Sequence, residues 1–342
     1  MSEPLDATAA AGAGPEVVQP ARRSPLLDLE GAVQADPPDA GVAAHYGELV
    51  AEQRRLARGE GFVDLSHRDV LAVSGPDRLT WLHALTTQHL ESLAPGVHTE
   101  VLVLTPQGRV EHAMEGVDDG TTFWAHTEPG AGAALVAWLD RMRFMSRVEV
   151  ADVSDDHAVV GLCRPGDGEP ALDWDLRPRT EVASWPERYG RPAGTWAWEA
   201  LRIASGTPRV GVDTDDRTIP NEVALLERAV HLDKGCYRGQ ETVARVHNLG
   251  RPPRRLTLLH LDGSADRLPA PGSAVERADE PGRSVGVLGS RALHHELGPI
   301  GLAVLKRSVP LDVTLQVEGV PAAQEAVVDP DVGLHVRPRS GR

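Results

Sequence analysis

Chemistry is densest in one short run of the chain, Lys234-Gly235-Cys236-Tyr237-Arg238-Gly239-Gln240-Glu241. A cysteine with a lysine and an arginine close by is set up for reactivity, because nearby cations favour thiolate over thiol. Gly235 and Gly239 permit an exposed tight turn around it. The competing reading is a small buried core residue, the ordinary fate of a free cysteine. Polar, glycine-flanked surroundings weigh against burial for Cys236, whereas Cys163, ending the apolar run Val159-Val160-Gly161-Leu162, keeps it. Residues 230–256 hold six basic groups (Lys234, Arg238, Arg245, Arg251, Arg254, Arg255) and two acids (Asp233, Glu241), a net of +4. The whole chain carries −15, which leaves −19 for the remainder. A basic island in an acidic protein is the place to seek an anionic ligand.

The elements that must position this run come from 342 residues, room for about two domains. A hydrophobic fraction of 41% supports real cores. The acidic excess argues against direct nucleic-acid binding, since phosphate attraction would have to come from one local patch. No apolar run approaches the length of a membrane span, about 18 residues, and the opening MSEPLDATAA lacks the basic and apolar regions of a signal peptide. Two cysteines make no disulfide framework, so a cytoplasmic protein without membrane contact is expected. Nor can two cysteines alone hold an iron–sulfur cluster, which takes about four ligands; no permanent cluster and no metal site is expected.

Residues 1–43, rich in Ala, Pro, Gly and acid, are expected to be a disordered tail, and 331–342 a short basic one. Between 44 and 252 short strands alternate with helices. A helical stripe covers Leu49 to Ala57, and a helix with Ser74 as N-cap and Pro76 in its first turn buries Leu79, Leu82 and Leu85. The strand Val101–Leu104 turns at Thr105-Pro106-Gln107-Gly108. A helix from about Ala131 to Phe144 and another over Thr195–Ala204 flank a loop-rich stretch, 164–193. After Pro252-Pro253 evenly spaced short strands (253–330) read as a small barrel or sandwich. The whole is α+β.

Three other constellations fail on geometry. Gly130-Ala131-Gly132 opens a helix but lacks the third glycine and the βαβ series of a dinucleotide site. Ser66-His67-Arg68-Asp69 is too local for a Ser–His–Asp relay and reads as a solvated turn. His294-His295-Glu296 diverge, without the spacing of a zinc helix.

The run Lys234-Gly235-Cys236-Tyr237-x-Gly239-Gln240-Glu241 resembles the K-G-C-Y-x-G-Q-E signature of YgfZ-type folate-binding proteins, relatives of the aminomethyltransferase (T-protein) of glycine cleavage. Asp64–Arg68, Val73–Arg78, Leu104–Arg109, Gly211–Asp213 and Ile219–Glu222 are similar to other parts of that family. The resemblance covers about 60–330. It implies a T-protein-like fold, two intertwined α+β subdomains around a folate pocket, with a C-terminal β-barrel. It implies an accessory protein for assembly or repair of [4Fe–4S] clusters in client enzymes, tRNA-modifying ones included, with folate and iron–sulfur client or carrier proteins as partners. In that role Cys236 is the reactive thiol, Lys234 and Arg238 lower its pKa, and Gly235 and Gly239 shape the loop. Gln240 and Glu241 hold the loop or meet the ligand, while Tyr237 either stacks on a pterin or anchors the loop. Arg245, Arg251 and the Arg254-Arg255 pair attract folate carboxylates or a partner, or form a solvated strip; Asn221 and Glu222 are further folate contacts. Two departures weaken tetrahydrofolate binding. Val110-Glu111-His112-Ala113 stands where aminomethyltransferases have an aspartate pair, and Ala204 stands where many members have a glutamate. A folate-dependent aminomethyl or one-carbon transferase, and a non-catalytic adaptor, are the alternatives on the same fold.

Overall fold

The protein is described here by a computed structural model covering residues 22–166, 170–265 and 267–332. In chain order come β1 (Val33–Gln34), β2 (Ala43–His45), α1 (Leu49–Ala57), β3 (Phe62–Asp64), β4 (Asp69–Ser74), α2 (Arg78–Leu85), β5 (His98–Leu104), β6 (Val110–Asp118), β7 (Thr122–Thr127) and α3 (Gly132–Arg141). Then follow β8 (Glu149–Asp152), β9 (His157–Arg164), β10 (Ala171–Pro178), α4 (Trp185–Tyr189), β11 (Pro192–Ala193), α5 (Thr195–Ala204), α6 (Leu226–Ala229) and α7 (Gln240–Leu249). The last strands are β12 (Arg254–Leu261), β13 (Ala274–Arg277), β14 (Glu280–His294), β15 (Gly298–Lys306), β16 (Leu315–Val317) and β17 (Val320–Ala326).

Apolar side chains on one face of each sheet need a partner layer, and helices supply it. An antiparallel sheet in the order β5-β6-β7-β4-β8 buries Leu71, Val73, Val101, Val103 and Phe123 under Leu82, Leu135, Trp138 and Leu139 of α2 and α3. A second sheet, β10-β9-β3-β11, packs Val63, Val159 and Trp174 against Leu56 of α1 and Ala197, Trp198 and Leu201 of α5. From β12 onward the chain closes a six-stranded barrel, β12-β15-β14-β13-β16-β17, around Leu259, Val275, Leu288, Leu305 and Leu315. A further core joins barrel to sheets. Leu102 and Leu104 of β5, Ile203 of α5, Tyr237, Val243 of α7 and Leu256, Leu258 and Leu302 of the barrel meet in it. The cysteine run therefore lies at the junction of all three bodies.

Four local expectations are corrected. Residues 22–43 are not a loose tail: Leu26 and Val42 are buried, and the Ser24 hydroxyl caps the turn Pro25–Asp28. Composition misses this because polar contacts do the anchoring, Arg22 to Asp69 and Asp155, and Ser24 to Asp64. Residues 1–21 and 333–342, the rest of the two expected tails, lie outside the described residues. The helix expected to be capped by Ser74 begins at Arg78 with Asp77 at its cap, whose carboxylate bonds Arg147 instead of the helix. The loop-rich stretch 164–193 holds β10, paired along its length with β9, and α4. Finally, Ser66-His67-Arg68-Asp69 is buried at all four positions, for reasons given below.

Candidate functional site

The thiol loop is held from both sides. Lys234 is buried, and its Nζ donates to the carbonyls of His83, Thr86 (2.6 Å) and Gln88 (3.0 Å). These oxygens lie at the end of α2, where carbonyls lack helical partners and attract a cation. Burial pushes the Lys234 pKa down to about 8. Its ammonium also lies 5.4 Å from the centre of the Tyr237 ring, which is packed in the junction core, its hydroxyl pushed up to about 12 by burial. Between these anchors Gly235 and Cys236 are exposed. Gly239 caps α7 at φ +83°, and a Cβ there would meet the Thr105 carbonyl at 2.6 Å and Gly108 Cα at 2.8 Å. The turn Thr105–Gly108 and the thiol loop thus dock backbone to backbone, which only glycine allows.

Other expected site residues take different places. Neither Lys234 nor Arg238 serves the thiol by its bonds: Lys234 is committed to carbonyls, and Arg238 pairs with Glu111 (2.7 Å) above Trp138. Tyr237 is a loop anchor. Gln240 and Glu241 occupy the first turn of α7, and among the described residues neither side chain has a hydrogen-bond partner; Arg245 is likewise exposed and unpaired. Glu222 is 1% exposed, takes two bonds from Arg254 and bonds the Ile219 amide. Arg254 also binds Asp215, and the buried Arg255 donates to Lys306 and Arg307 carbonyls and to Gln324. These two arginines stitch the barrel in place and are not a free anion site. Asn221 is buried against α7.

A second cluster was invisible from the sequence. Asp213 accepts from Arg202 (3.0 Å), the Arg209 amide (2.9 Å), and the amide and hydroxyl of Ser290 (2.7 and 2.6 Å). Arg202 forks onto Glu199, and Arg209 onto Glu128 and Asp39. Burial opposes ionisation of Asp39, but bonds from His67 and Arg209 outweigh it and hold the carboxyl well below the usual range. This accounts for the burial of His67, whose partner Asp39 comes from the segment read as a tail.

The network forms the wall of a cleft of about 290 Å³ lined by Arg68, Glu128, Trp174, Trp198, Arg202 and Arg209. A smaller recess of about 40 Å³ shares Arg68, Glu115, Glu128 and Arg209 and adds Glu100 and His126. Arg68, 6% exposed, reaches Glu115 and Glu128 only at 3.9 and 3.8 Å, and its Nε has no partner. Burial, and then Arg68, hold the His126 imidazole neutral. Burial pushes the Glu100 carboxyl up to about 7; Arg228 opposes and Glu115 adds to the rise. Cleft and recess together present a guanidinium with an unpaired donor and an acid poised between its two forms. Cys236 lies outside it.

The fold is that of the aminomethyltransferase T of the glycine cleavage system from Bartonella henselae, at a TM-score of 0.75 over 90% of this chain and 97% of that one, with 16% identity. No protein-family model matches the chain. The tRNA-modifying protein YgfZ of Cronobacter sakazakii is 35% identical over 248 residues, 63% of this chain and 74% of its own length. The chain belongs to the YgfZ family. More distant relatives are an iron–sulfur cluster assembly factor IBA57 homolog of Pyricularia oryzae, 25% identical over 77% of this chain and 75% of that protein, and a putative chloroplastic transferase of Arabidopsis thaliana, 27% identical over 72% of this chain. The chain spans 65% of the length of the Arabidopsis protein.

The two departures from the aminomethyltransferase pattern have structural consequences in this YgfZ-family chain. Glu111 is spent on Arg238, and His112 sits 6.4 Å from the Trp138 ring, its pKa lowered by burial. Ala204 packs against the junction core, with no carboxylate to offer. Among the described residues no helix is long and apolar enough to cross a membrane, and no cluster of three or more His, Cys, Asp or Glu suits a metal ion.

Proposed function

We propose that this protein is an accessory factor for the assembly or repair of iron–sulfur clusters, presenting Cys236 to a client protein while its central cleft takes a folate-class ligand. The observation that carries this reading is the exposure of Cys236 on a loop fixed by two buried anchors, Lys234 and Tyr237. A thiol serving only to pack would be inside, as Cys163 is. Family membership supports the reading, as do the cluster-assembly description of the Pyricularia relative and the tRNA-modifying one of the Cronobacter relative. Clients that are cluster-dependent tRNA-modifying enzymes suit both descriptions.

The residues of the cleft fit tetrahydrofolate in kind. The orphaned Arg68 Nε suits a carboxylate or ring carbonyl; Glu100 in the adjoining recess, pushed to about 7 although Arg228 pairs with it, can donate to or accept from a heterocycle. Bound folate would bring one-carbon chemistry. With Ala204 and His112 in place of acids, this chain's residues bind and orient such a ligand and do not transfer from it. Arg245, exposed on α7, and Arg251, exposed just past its C-terminal end, are left to meet an acidic partner.

The test is restoration of cells lacking the protein with wild type or Cys236→Ala, assaying one [4Fe–4S] enzyme beside a cluster-independent control. Wild type alone should restore the cluster enzyme. Equal restoration by both would reduce Cys236 to a structural residue and sink the proposal.

A further inference from the structure

The helix α3 ends at Met142, and the chain turns back toward β8 through Arg143-Phe144-Met145-Ser146, closed by a bond from the Ser146 amide to the Arg143 carbonyl (2.8 Å). Both ends of this turn are pinned. The Trp81 indole donates to the Met142 carbonyl (3.0 Å), and Asp77 takes bonds from the Arg147 amide (2.8 Å) and guanidinium (2.6 Å). At its corners stand Phe144 and Met145, 87% and 96% exposed, whereas no other large apolar side chain among the described residues exceeds 54%.

Solvent alone gives no reason for these residues here. Phe144 has φ +43°, in the left-handed region where a bulky residue is an outlier and glycine or asparagine is the ordinary choice. The chain thus accepts backbone strain and leaves two apolar side chains in water at one point, a combination that recurs at recognition sites. The surroundings are basic in an acidic protein. Residues 138–148 hold Arg141, Arg143 and Arg147 against Asp140, a net of +2 where the whole chain has −15. Arg143 is neutralised by Asp140 and Arg147 by Asp77, which leaves Arg141 exposed with no ion pair among the described residues. The same surface reaches the thiol loop. Trp138, one helical turn before Arg141 on the same face of α3, lies under the guanidinium of Arg238, 5.9 Å from its ring centre. Arg238 is two residues from Cys236. A single interface of ordinary size, about 800 Å² per partner, covers that span.

We propose that the Phe144–Met145 turn is the docking anchor for the client protein that meets Cys236, and that the client offers there an apolar pocket rimmed by carboxylates. Phe144 and Met145 enter the pocket, and Arg141 faces the rim. Phe, Met and Arg are residue types that interfaces enrich, and a basic spot on an acidic chain steers an acidic partner to one face. Such anchoring rests on the reading of Cys236 as a thiol presented to a client, and adds the surface that the client grips.

The probe is the purified apo form of the [4Fe–4S] enzyme used in the restoration test, titrated with the full chain by fluorescence anisotropy, with thermal melts to check folding. Phe144→Gly combined with Met145→Ser should weaken binding at least about tenfold, while the melting temperature stays level or rises because glycine relieves the left-handed strain. Arg141→Glu should weaken it about two- to tenfold, a gap that narrows at high salt. Cys236→Ala, and Leu311→Ser on an exposed loop of the barrel, should bind as wild type does. The same variants in the deficient cells separate anchor from thiol. Equal restoration by Cys236→Ala would remove the thiol's role, with the anchor still judged by the affinities; full restoration by the turn variant would overturn the anchor and leave the thiol's role standing. Unchanged affinity of the turn variant, or no binding of the apo-enzyme by wild type, would also overturn the proposal. So would sedimentation with phosphatidylglycerol vesicles that requires the intact turn, or a wild-type dimer that the turn variant splits, since a lipid surface or a second copy would then be the occupant.

Discussion

Lys234 and Asp213 are both buried charges, and they are compensated in different ways. Lys234 faces three backbone carbonyls from one short stretch, His83 to Gln88, with no bonded counter-ion. Asp213 sits in a network whose members come from the segment before β2, from β4's approach, from α5 and from the barrel strand β14. The thiol loop is therefore a local device, set by one turn of helix end and a glycine contact. The charged wall of the cleft is a global one: Asp39, Glu128, Glu199, Arg202, Arg209 and Ser290 meet only when all three bodies have docked. Damage to the first should stay local, while damage to the second should be felt by the whole fold.

The largest expected effect tests the global half. Asp213→Ala strips Arg202 of one partner, leaves the Ser290 amide and hydroxyl short of an acceptor, and should cost about 3–5 kcal/mol, the usual penalty for half of a buried ion pair. Chemical denaturation measures it. A loss below about 1 kcal/mol would mean that the network rearranges freely, and the contrast with the loop would fall.

The recess beside the network should give stability a pH slope. Glu100 titrates near 7 in the folded chain against 4.5 when free of it. Below 4.5 the carboxyl is protonated in both states. Between 4.5 and 7 the folded chain keeps a proton that the unfolded chain has released, so stability falls as pH rises and the loss is complete above 7. The size is about 2–4 kcal/mol. Glu100→Gln should flatten this part of the profile; an unchanged slope would assign it to another group.

These two halves also explain what could be read in advance. The loop was legible because its determinants are contiguous: glycines, a cysteine and an anchor pair within eight residues. The barrel was legible because each strand carries its own alternation and its own turn. The network was not, because no property of Asp39 alone distinguishes it from the acids around it in a Pro- and Ala-rich stretch. Its partner Arg209 is 170 residues away. Ser66–Asp69 looked solvated for the same reason, since four polar residues in a row signal a surface unless their partners are known. The bonding partners of Lys234 and Arg238 were equally out of sight: both lie within two residues of Cys236 in sequence, whereas side-chain reach takes one to the end of α2 and the other to Glu111.

The smallest expected effect separates the two cysteines. Cys163 is 7% exposed on β9, and burial pushes its thiol up to about 11, so thiolate is scarce there at pH 8. Cys236 is exposed, on a loop whose anchoring bonds do not involve its sulfur. Cys236→Ser should therefore leave stability within about 0.5 kcal/mol of wild type, whereas Cys163→Ser puts a hydroxyl into the apolar layer of Val159 and Trp174 and should cost about 1–3 kcal/mol. With a disulfide reagent at pH 8, one thiol should react at once in the native protein and the second only at the rate of unfolding. Two fast thiols would mean that β9 opens readily, and one slow thiol would mean that the loop is covered in solution. In that second case a client could not reach Cys236 without first displacing whatever covers it, and the local character of the loop would have to be given up.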